Sequence, residues 1–456
     1  MKLTIIGAGP GGYETALSAA RHGIEVTLVS DGPLGGTCLN EGCIPTKALC
    51  RAAEVFETCK DAAQFGIDAS CTFDFQRVMA RKEAVVSQLR DGVAFLMKHK
   101  LITLVYGRAR FVDAHTVRVA LAEGGETEIV SDFIFVATGS EPASLPIPGA
   151  ELPGVVTSRE ILSLSEIPAR LCVIGAGVIG LEFASVFASF GTEVTVVEYC
   201  RDILPRFDVD LSKRLKQSLS KRGICIETSA QVQEISRVGD ALEVHYLQKD
   251  KPCSVVADRV LMAVGRRPAL SSMNFDETGI ACDRRGVKVN GYMQTSVPSV
   301  YAFGDIVGGM MLAHAATFQG LRALNHVLAG QPAEGAVDAI DLSLVPAAVF
   351  TRPEAAMAGM TEEECKEKEL VYKAFKSFYR ANGKALSLGE PDGFCKILAG
   401  AEDGRLLGCH LFGTHAADLV HEVAALMSKG ATLADLQALI HAHPTLSEVI
   451  QAAAHA

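Results

Sequence analysis

The stretch Gly35-Gly36-Thr37-Cys38-Leu39-Asn40-Glu41-Gly42-Cys43-Ile44-Pro45-Thr46-Lys47 carries two cysteines with four residues between them, and a helix is expected to begin just after the pair. On an ideal helix their α-carbons would stand roughly 8 to 9 Å apart, beyond disulfide reach, so the segment must bend if they pair. Gly42 supplies backbone freedom for such a bend, and Pro45 suits the first turn of a helix running on through Lys47, Ala48 and Leu49. Cys43 then faces a helix N-terminus, whose partial positive charge favours thiolate over thiol. Taken alone, such a pair reads as two small buried thiols that never bond, the ordinary state in a reducing compartment. A structural zinc site is weaker still, since zinc prefers closer pairs with a second pair nearby.

Upstream, Ile5-Ile6-Gly7-Ala8-Gly9-Pro10-Gly11-Gly12 leads into helical residues to Arg21 and a second strand, Val26 to Val29. In this strand-turn-helix-strand unit Gly7 and Gly9 permit a tight turn and close approach of a pyrophosphate, and Gly12 lets helix and sheet pack closely. The phosphates would sit at the helix N-terminus. The pattern returns at Val173-Ile174-Gly175-Ala176-Gly177-Val178-Ile179-Gly180, with its own helix to Phe190 and strand Glu193 to Val197. The two copies align without a gap, residues 5–30 on residues 173–198. The repeat extends to Asp132-Phe133-Ile134-Phe135-Val136-Ala137-Thr138-Gly139, echoed by Asp258-Arg259-Val260-Leu261-Met262-Ala263-Val264-Gly265, each ending three residues before a proline. Two dinucleotides are therefore expected. Glu198 stands where a carboxylate accepts from a ribose 2′-hydroxyl and repels a 2′-phosphate, which favours NAD over NADP. In the first copy the aligned position is Ser30, followed by Asp31.

With these units around it, the cysteine stretch resembles, almost residue for residue, the redox-active segment of the flavin-dependent pyridine nucleotide-disulfide oxidoreductases, and among them the dihydrolipoamide dehydrogenases. That resemblance implies an α/β fold with two Rossmann-like FAD- and NAD-binding domains of the disulfide reductase type and a C-terminal α+β interface domain. The expected boundaries are 1–147 for the FAD domain, 148–269 for the NAD domain, 270–340 for a segment completing the FAD domain, and 341–456 for the interface domain. It also implies that Cys38 and Cys43 form a redox disulfide and that FAD occupies the first unit. Where relatives commonly hold the FAD ribose with glutamate this chain has Ser30 and Asp31, leaving either to make the contact. Lys47 and Glu182 match positions that pair close to the flavin. Gly304-Asp305 matches the contact to the ribityl chain, and Thr138, Gly139 and Gly265 count among the cofactor contacts. Arg266-Arg267-Pro268 resembles the family's segment beside bound NAD.

Near the end stands His441-Ala442-His443-Pro444-Thr445-Leu446-Ser447-Glu448. A histidine before proline is ordinarily a turn residue, but a carboxylate that orients one imidazole nitrogen leaves the other as a proton acceptor, as thiol chemistry requires. By the resemblance His443 is the base, Glu448 its partner and His441 structural. The resemblance also implies that the pair serves the cysteines of the other subunit, making a homodimer necessary for activity. The implied reaction is oxidation of protein-bound dihydrolipoamide to lipoamide, with electrons passing through Cys38 and Cys43 and FAD to NAD. The implied setting is the E3 role in 2-oxo acid dehydrogenase or glycine cleavage complexes, with lipoyl-bearing domains and dihydrolipoyl acyltransferase subunits as partners. Two alternatives stand beside it: an NAD(P)H-dependent flavin reductase of another low-molecular-weight disulfide, and a flavoprotein with a mainly structural or binding role.

The totals agree with this class. With 456 residues, 49% of them hydrophobic, the chain has material for about three domains. A net charge of −10 without a basic stripe argues against nucleic acid or anionic membranes as partners. Thirteen scattered cysteines do not make a secreted disulfide framework, and no metal site is expected. The first strand follows Met1 directly, without a signal-peptide pattern, and no apolar run reaches membrane length, so a cytoplasmic enzyme is expected.

Overall fold

The apolar run Leu3-Thr4-Ile5-Ile6 forms most of the strand Lys2–Ile6, whose residues after Lys2 are all buried, as a strand covered on both faces must be. The computed structural model describes residues 1–271 and 273–456. These divide into two compact units: Met1–Ala48 with Arg77–Ala143 and Arg266–Leu342, and Leu49–Gln76 with Ser144–Gly265 and Ser343–Ala456.

The first unit is built on a seven-stranded sheet in the order Val300–Ala302, Phe133–Val136, Lys2–Ile6, Glu25–Ser30, Ile102–Phe111, Thr116–Leu121, Glu126–Val130. The first five strands run parallel and the last two complete an antiparallel meander. The helix Pro10–Arg21 packs on the helix Ala313–Leu328 with so little separation that a Cβ on Gly11 would come 2.9 Å from the Ala316 carbonyl oxygen. Ile5, Ala16, Leu28, Phe135, Tyr301 and Leu324 lie in the core beneath them.

In the second unit the repeated strands Arg170–Ile174, Glu193–Val197 and Arg259–Met262 form a parallel sheet with Cys225–Glu227 and Val155–Val156. Three further strands, Ala230–Val238, Ala241–Gln248 and Lys251–Ala257, make an antiparallel meander. The C-terminal part carries a five-stranded antiparallel sheet in the order Ala347–Val349, Ala355–Gly359, Leu406–Phe412, Phe394–Gly400, Tyr372–Phe378. One face of this sheet buries Cys395, Ile397, Cys409 and Leu411 against helix Ala416–Met427 and its neighbours. Among the described residues no helix is long and apolar enough to cross a membrane, and no cluster of His, Cys, Asp and Glu is arranged to hold a metal.

The other face carries an ion-pair cluster beside buried Phe394, Leu398 and Phe412. Lys396 lies directly opposite His410 in the strand register and is buried, with its ammonium 2.8 Å from both carboxylate oxygens of Asp208 and 2.9 Å from Asp210. Glu362 closes the group. Asp208 also caps the helix Val209–Lys221, accepting from the Asp210 N–H. A buried charge is tolerated only when paired. Lys396→Met should therefore leave Asp208 uncompensated and lower stability by about 3 to 5 kcal/mol, read from the urea midpoint. Burial opposes ionisation of Asp210, but hydrogen bonds from Lys376 and Lys396 outweigh it and hold its carboxyl at about 2. Because that value lies below the unfolded one, its contribution is complete above about pH 4 and is lost as pH falls toward 2. The same variant should accordingly show a flatter loss of stability across that acid window.

Candidate functional site

The cysteine stretch folds as two helical pieces rather than one helix following the pair. Gly36–Glu41 forms a short helix carrying Cys38, and Cys43 itself opens the helix Cys43–Lys60. Gly42, at φ −148° and ψ −107°, breaks the path between them, and a Cβ there would press to 3.0 Å from the Thr37 carbonyl oxygen. The break brings the two α-carbons to 4.7 Å, and the thiols are joined as a disulfide. Asn40, inside the motif, braces the loop by donating to the carbonyls of Leu34 and Gly36 at 3.0 and 2.9 Å, and Arg90 donates to its side-chain oxygen at 2.9 Å. Asn40 and Arg90 escape sequence reading, because nothing in residue spacing shows that a long helix passes by this loop.

The loop is fastened to the first glycine turn. The Gly35 N–H donates to the Ala8 carbonyl at 2.8 Å. At Gly36, φ +57°, a Cβ would come 2.7 Å from the Gly9 α-carbon, and at Gly35, φ +96°, it would come 2.6 Å from the Leu39 side chain, so both loop positions must stay bare. Gly7 adopts φ +111° and Gly175 +106°. A Cβ on Gly12 would collide with the Gly7 carbonyl oxygen, and one on Gly180 with that of Gly175, so the two turns are steric copies.

Both turns fit a dinucleotide. Space around Gly9 and around Gly177 is open, and each is the N-cap of a helix whose first-turn N–H groups receive no side-chain cap. In the second unit Glu198 is buried and accepts from the N–H groups of Ala176 and Cys200 at 2.5 and 2.7 Å. In the first unit Ala8, aligned with Ala176, is buried, and its N–H has no acceptor among the described residues. Ser30 is buried with its hydroxyl donating to the Gly32 carbonyl at 2.8 Å, whereas Asp31 is exposed and held by Arg108 at 3.0 Å.

The short strands that follow the two echoes pair within the first unit. Ser140–Pro142 pairs antiparallel with Arg266–Pro268, which brings Arg266 to Ser140, whose hydroxyl in turn donates to the Asp305 carboxylate. Gly304 donates its N–H to Gln319 at 2.8 Å. Thr138 and Gly139 lie at the same edge, with the Ala269 N–H donating to the Gly139 carbonyl, and Gly265 turns at φ +110° with open space around it. The matching prolines of the echo were the available sign of this pairing. Lys47 lies in the first turns of the helix Cys43–Lys60. Glu182 is buried in the helix Val178–Ser189 and accepts from the Phe350 N–H at 3.0 Å.

The two C-terminal histidines differ sharply. The His441 side chain is only 6% exposed and sits 2.7 Å from Glu422, whereas that of His443 is 79% exposed with Nδ1 2.9 Å from Glu448. The Thr445 N–H, then the His443 ring, hold the Glu448 carboxyl below the usual carboxylate range. With Nδ1–H donating to that carboxylate, Nε2 is left as an acceptor at the surface.

Residues 1–320 match the family described as pyridine nucleotide-disulphide oxidoreductase, and residues 345–454 match its dimerisation domain. The chain is similar to a dihydrolipoyl dehydrogenase of Bacillus subtilis (strain 168), 41% identical over 454 residues, covering 99% of this chain and 95% of the relative. It is 39% identical to that of Geobacillus stearothermophilus over 453 residues, covering 99% and 94%. Among solved structures it is similar to the HOCl-induced flavoprotein disulfide reductase RclA from Escherichia coli, with a TM-score of 0.88, 30% identity, and 100% and 99% of the two chains covered.

The disulfide predicts a labelling outcome. In the oxidised protein Cys38 and Cys43 should resist iodoacetamide, and after mild reduction both should take a second alkylating label, as read by peptide mass spectrometry; equal labelling before and after reduction would mean free thiols.

Proposed function

The chain belongs to the pyridine nucleotide-disulphide oxidoreductase family, and on that premise we propose that it is a dihydrolipoyl dehydrogenase. The observation that carries this reading is the Cys38–Cys43 disulfide fastened by Gly35 and Gly36 to the glycine turn of the first dinucleotide unit. Full-length identity of 41% to an enzyme of that name, against 30% to RclA, favours it over reduction of another small disulfide.

In this reading His443 of one protomer accepts a proton from a substrate thiol, and the resulting thiolate attacks Cys38 Sγ of the other. The Cys38–Cys43 bond breaks and Cys43 leaves as thiolate. The second substrate thiol then displaces Cys38 from the mixed disulfide, releasing cyclic lipoamide and a reduced cysteine pair. Glu448 keeps the His443 ring in the tautomer that presents Nε2. FAD, held by the first unit, supplies two-electron transfer between that pair and nicotinamide when bound. Gly7, Gly9 and Gly12 would admit its pyrophosphate to the helix N-terminus, and Ser30, Asp31, Thr138, Gly139, Gly304 and Asp305 would hold the rest of the molecule. By the family positions they match, Lys47 and Glu182 would each serve the flavin. Gly175, Gly177, Gly180 and Gly265 do the corresponding work for NAD, with Glu198 at its ribose.

The four domains run as 1–147, 148–269, 270–340 and 341–456. The protein acts as a homodimer, consistent with the dimerisation domain matched by residues 345–454. Its further partners are lipoyl-bearing domains and dihydrolipoyl acyltransferase subunits, and its compartment is the cytoplasm.

Steady-state assays test the substrate: dihydrolipoamide with NAD should turn over well, and glutathione disulfide or coenzyme A disulfide with NADH or NADPH poorly. Preference for either of the latter would replace the assignment. His443→Ala should lower lipoamide turnover by about two to four orders of magnitude with flavin content unchanged, and unchanged turnover would remove the acid–base role. Glu198→Arg should move the cofactor preference toward NADPH, measured as the ratio of kcat/KM values for the two nucleotides.

A further inference from the structure

The two dinucleotide units are steric copies, yet they differ at one aligned place. Glu198, after strand Glu193–Val197, accepts from the turn N–H of Ala176 and would present its charge to a ribose. Its counterpart Ser30 offers no charge, spends its hydroxyl proton on the Gly32 carbonyl and leaves the buried Ala8 N–H without an acceptor among the described residues. The first unit therefore lacks its ribose carboxylate at the expected position.

A carboxylate lies one residue on. Ile6 pairs with Val29 across the parallel strands, and the Gly7 N–H donates to the Val29 carbonyl, so Ser30 and Asp31 flank the glycine turn at the strand ends. The next strand, Ile102–Phe111, pairs Tyr106 with Ser30 and then runs on beyond the end of Glu25–Ser30. That overhang carries Arg108, whose Nε and Nη2 both reach one oxygen of Asp31, Oδ2, at 3.0 Å. No donor among the described residues engages Oδ1. A carboxylate gripped at one oxygen and free at the other, beside a nucleotide turn, is an oriented acceptor.

Resting on the reading that FAD occupies the first unit, we propose that Asp31 is the ribose-binding carboxylate of that unit and that Arg108 is the residue that positions it. The site has moved by one residue from the place its twin uses, and the overhanging strand supplies the brace that burial gives Glu198. The adenosine ribose of FAD would donate a hydroxyl proton to Oδ1, with no change of oxidation state at any atom.

Flavin release from the purified holoprotein tests this, read as the rise in free-flavin fluorescence after dilution. Asp31→Asn, an isosteric change at an exposed position, should release FAD about tenfold faster. Arg108→Ala should do so several-fold faster. Adding Ser30→Glu to Asp31→Asn should return the rate to within about twofold of the parent, because a carboxylate then stands where Glu198 stands in the other unit. Release from Asp31→Asn at the parental rate overturns the ribose assignment, and parental release from Arg108→Ala overturns the positioning role. Absence of a flavin spectrum from the parent protein would instead sink the underlying reading.

Discussion

Backbone lies on backbone where the cysteine loop meets the first glycine turn, and the remaining chemistry depends on that contact. Gly35 donates to Ala8, and Gly36 approaches Gly9 so closely that a Cβ on Gly36 would come 2.7 Å from the Gly9 α-carbon. A side chain at Gly36 would press the loop away from the turn. The position of the disulfide relative to the dinucleotide-binding edge is thus fixed by the absence of atoms, and that kind of constraint is stiff because repulsion rises steeply at contact. Asn40 ties the loop to itself, and Arg90 ties Asn40 to the helix Phe75–Leu96.

The internal duplication shows what such a turn requires and what it leaves adjustable. Gly7 and Gly175 share their backbone conformation, and Gly12 and Gly180 share the same close carbonyl. Sterically these positions admit one solution. The residue ending the second strand is under a looser rule, since it need only present polarity near a ribose, and here the copies part: serine in one, glutamate in the other.

Local patterns carried much of the architecture. The strands Glu193–Val197 and Leu406–Phe412 and the helix Ala313–Leu328 occupy the spans their periodicity marks out. His443 and Glu448 are five residues apart, so their hydrogen bond could be read from one short segment. Other features depend on partners far away in the chain. Lys396 finds Asp208 across 188 positions, and Ser140 finds Asp305 across 165. The meander over residues 230–257 has its strength in cross-strand pairs rather than in residue propensity. Cys38 stands in a helical turn of its own because Gly42 interrupts the path, and a glycine in sequence says only that an interruption is permitted.

The ribbon formed by Ser140–Pro142 and Arg266–Pro268 has an evolutionary corollary. The chain leaves the first unit after Ala143 and re-enters it at Arg266 through these paired strands, so the excursion between them interrupts no strand of the seven-stranded sheet. A duplicated ancestor could be grafted there, or exchanged for a variant with another nucleotide preference, while the host kept its own hydrogen bonding intact. Modularity of this kind lets one half of such a molecule drift in specificity without unravelling the other.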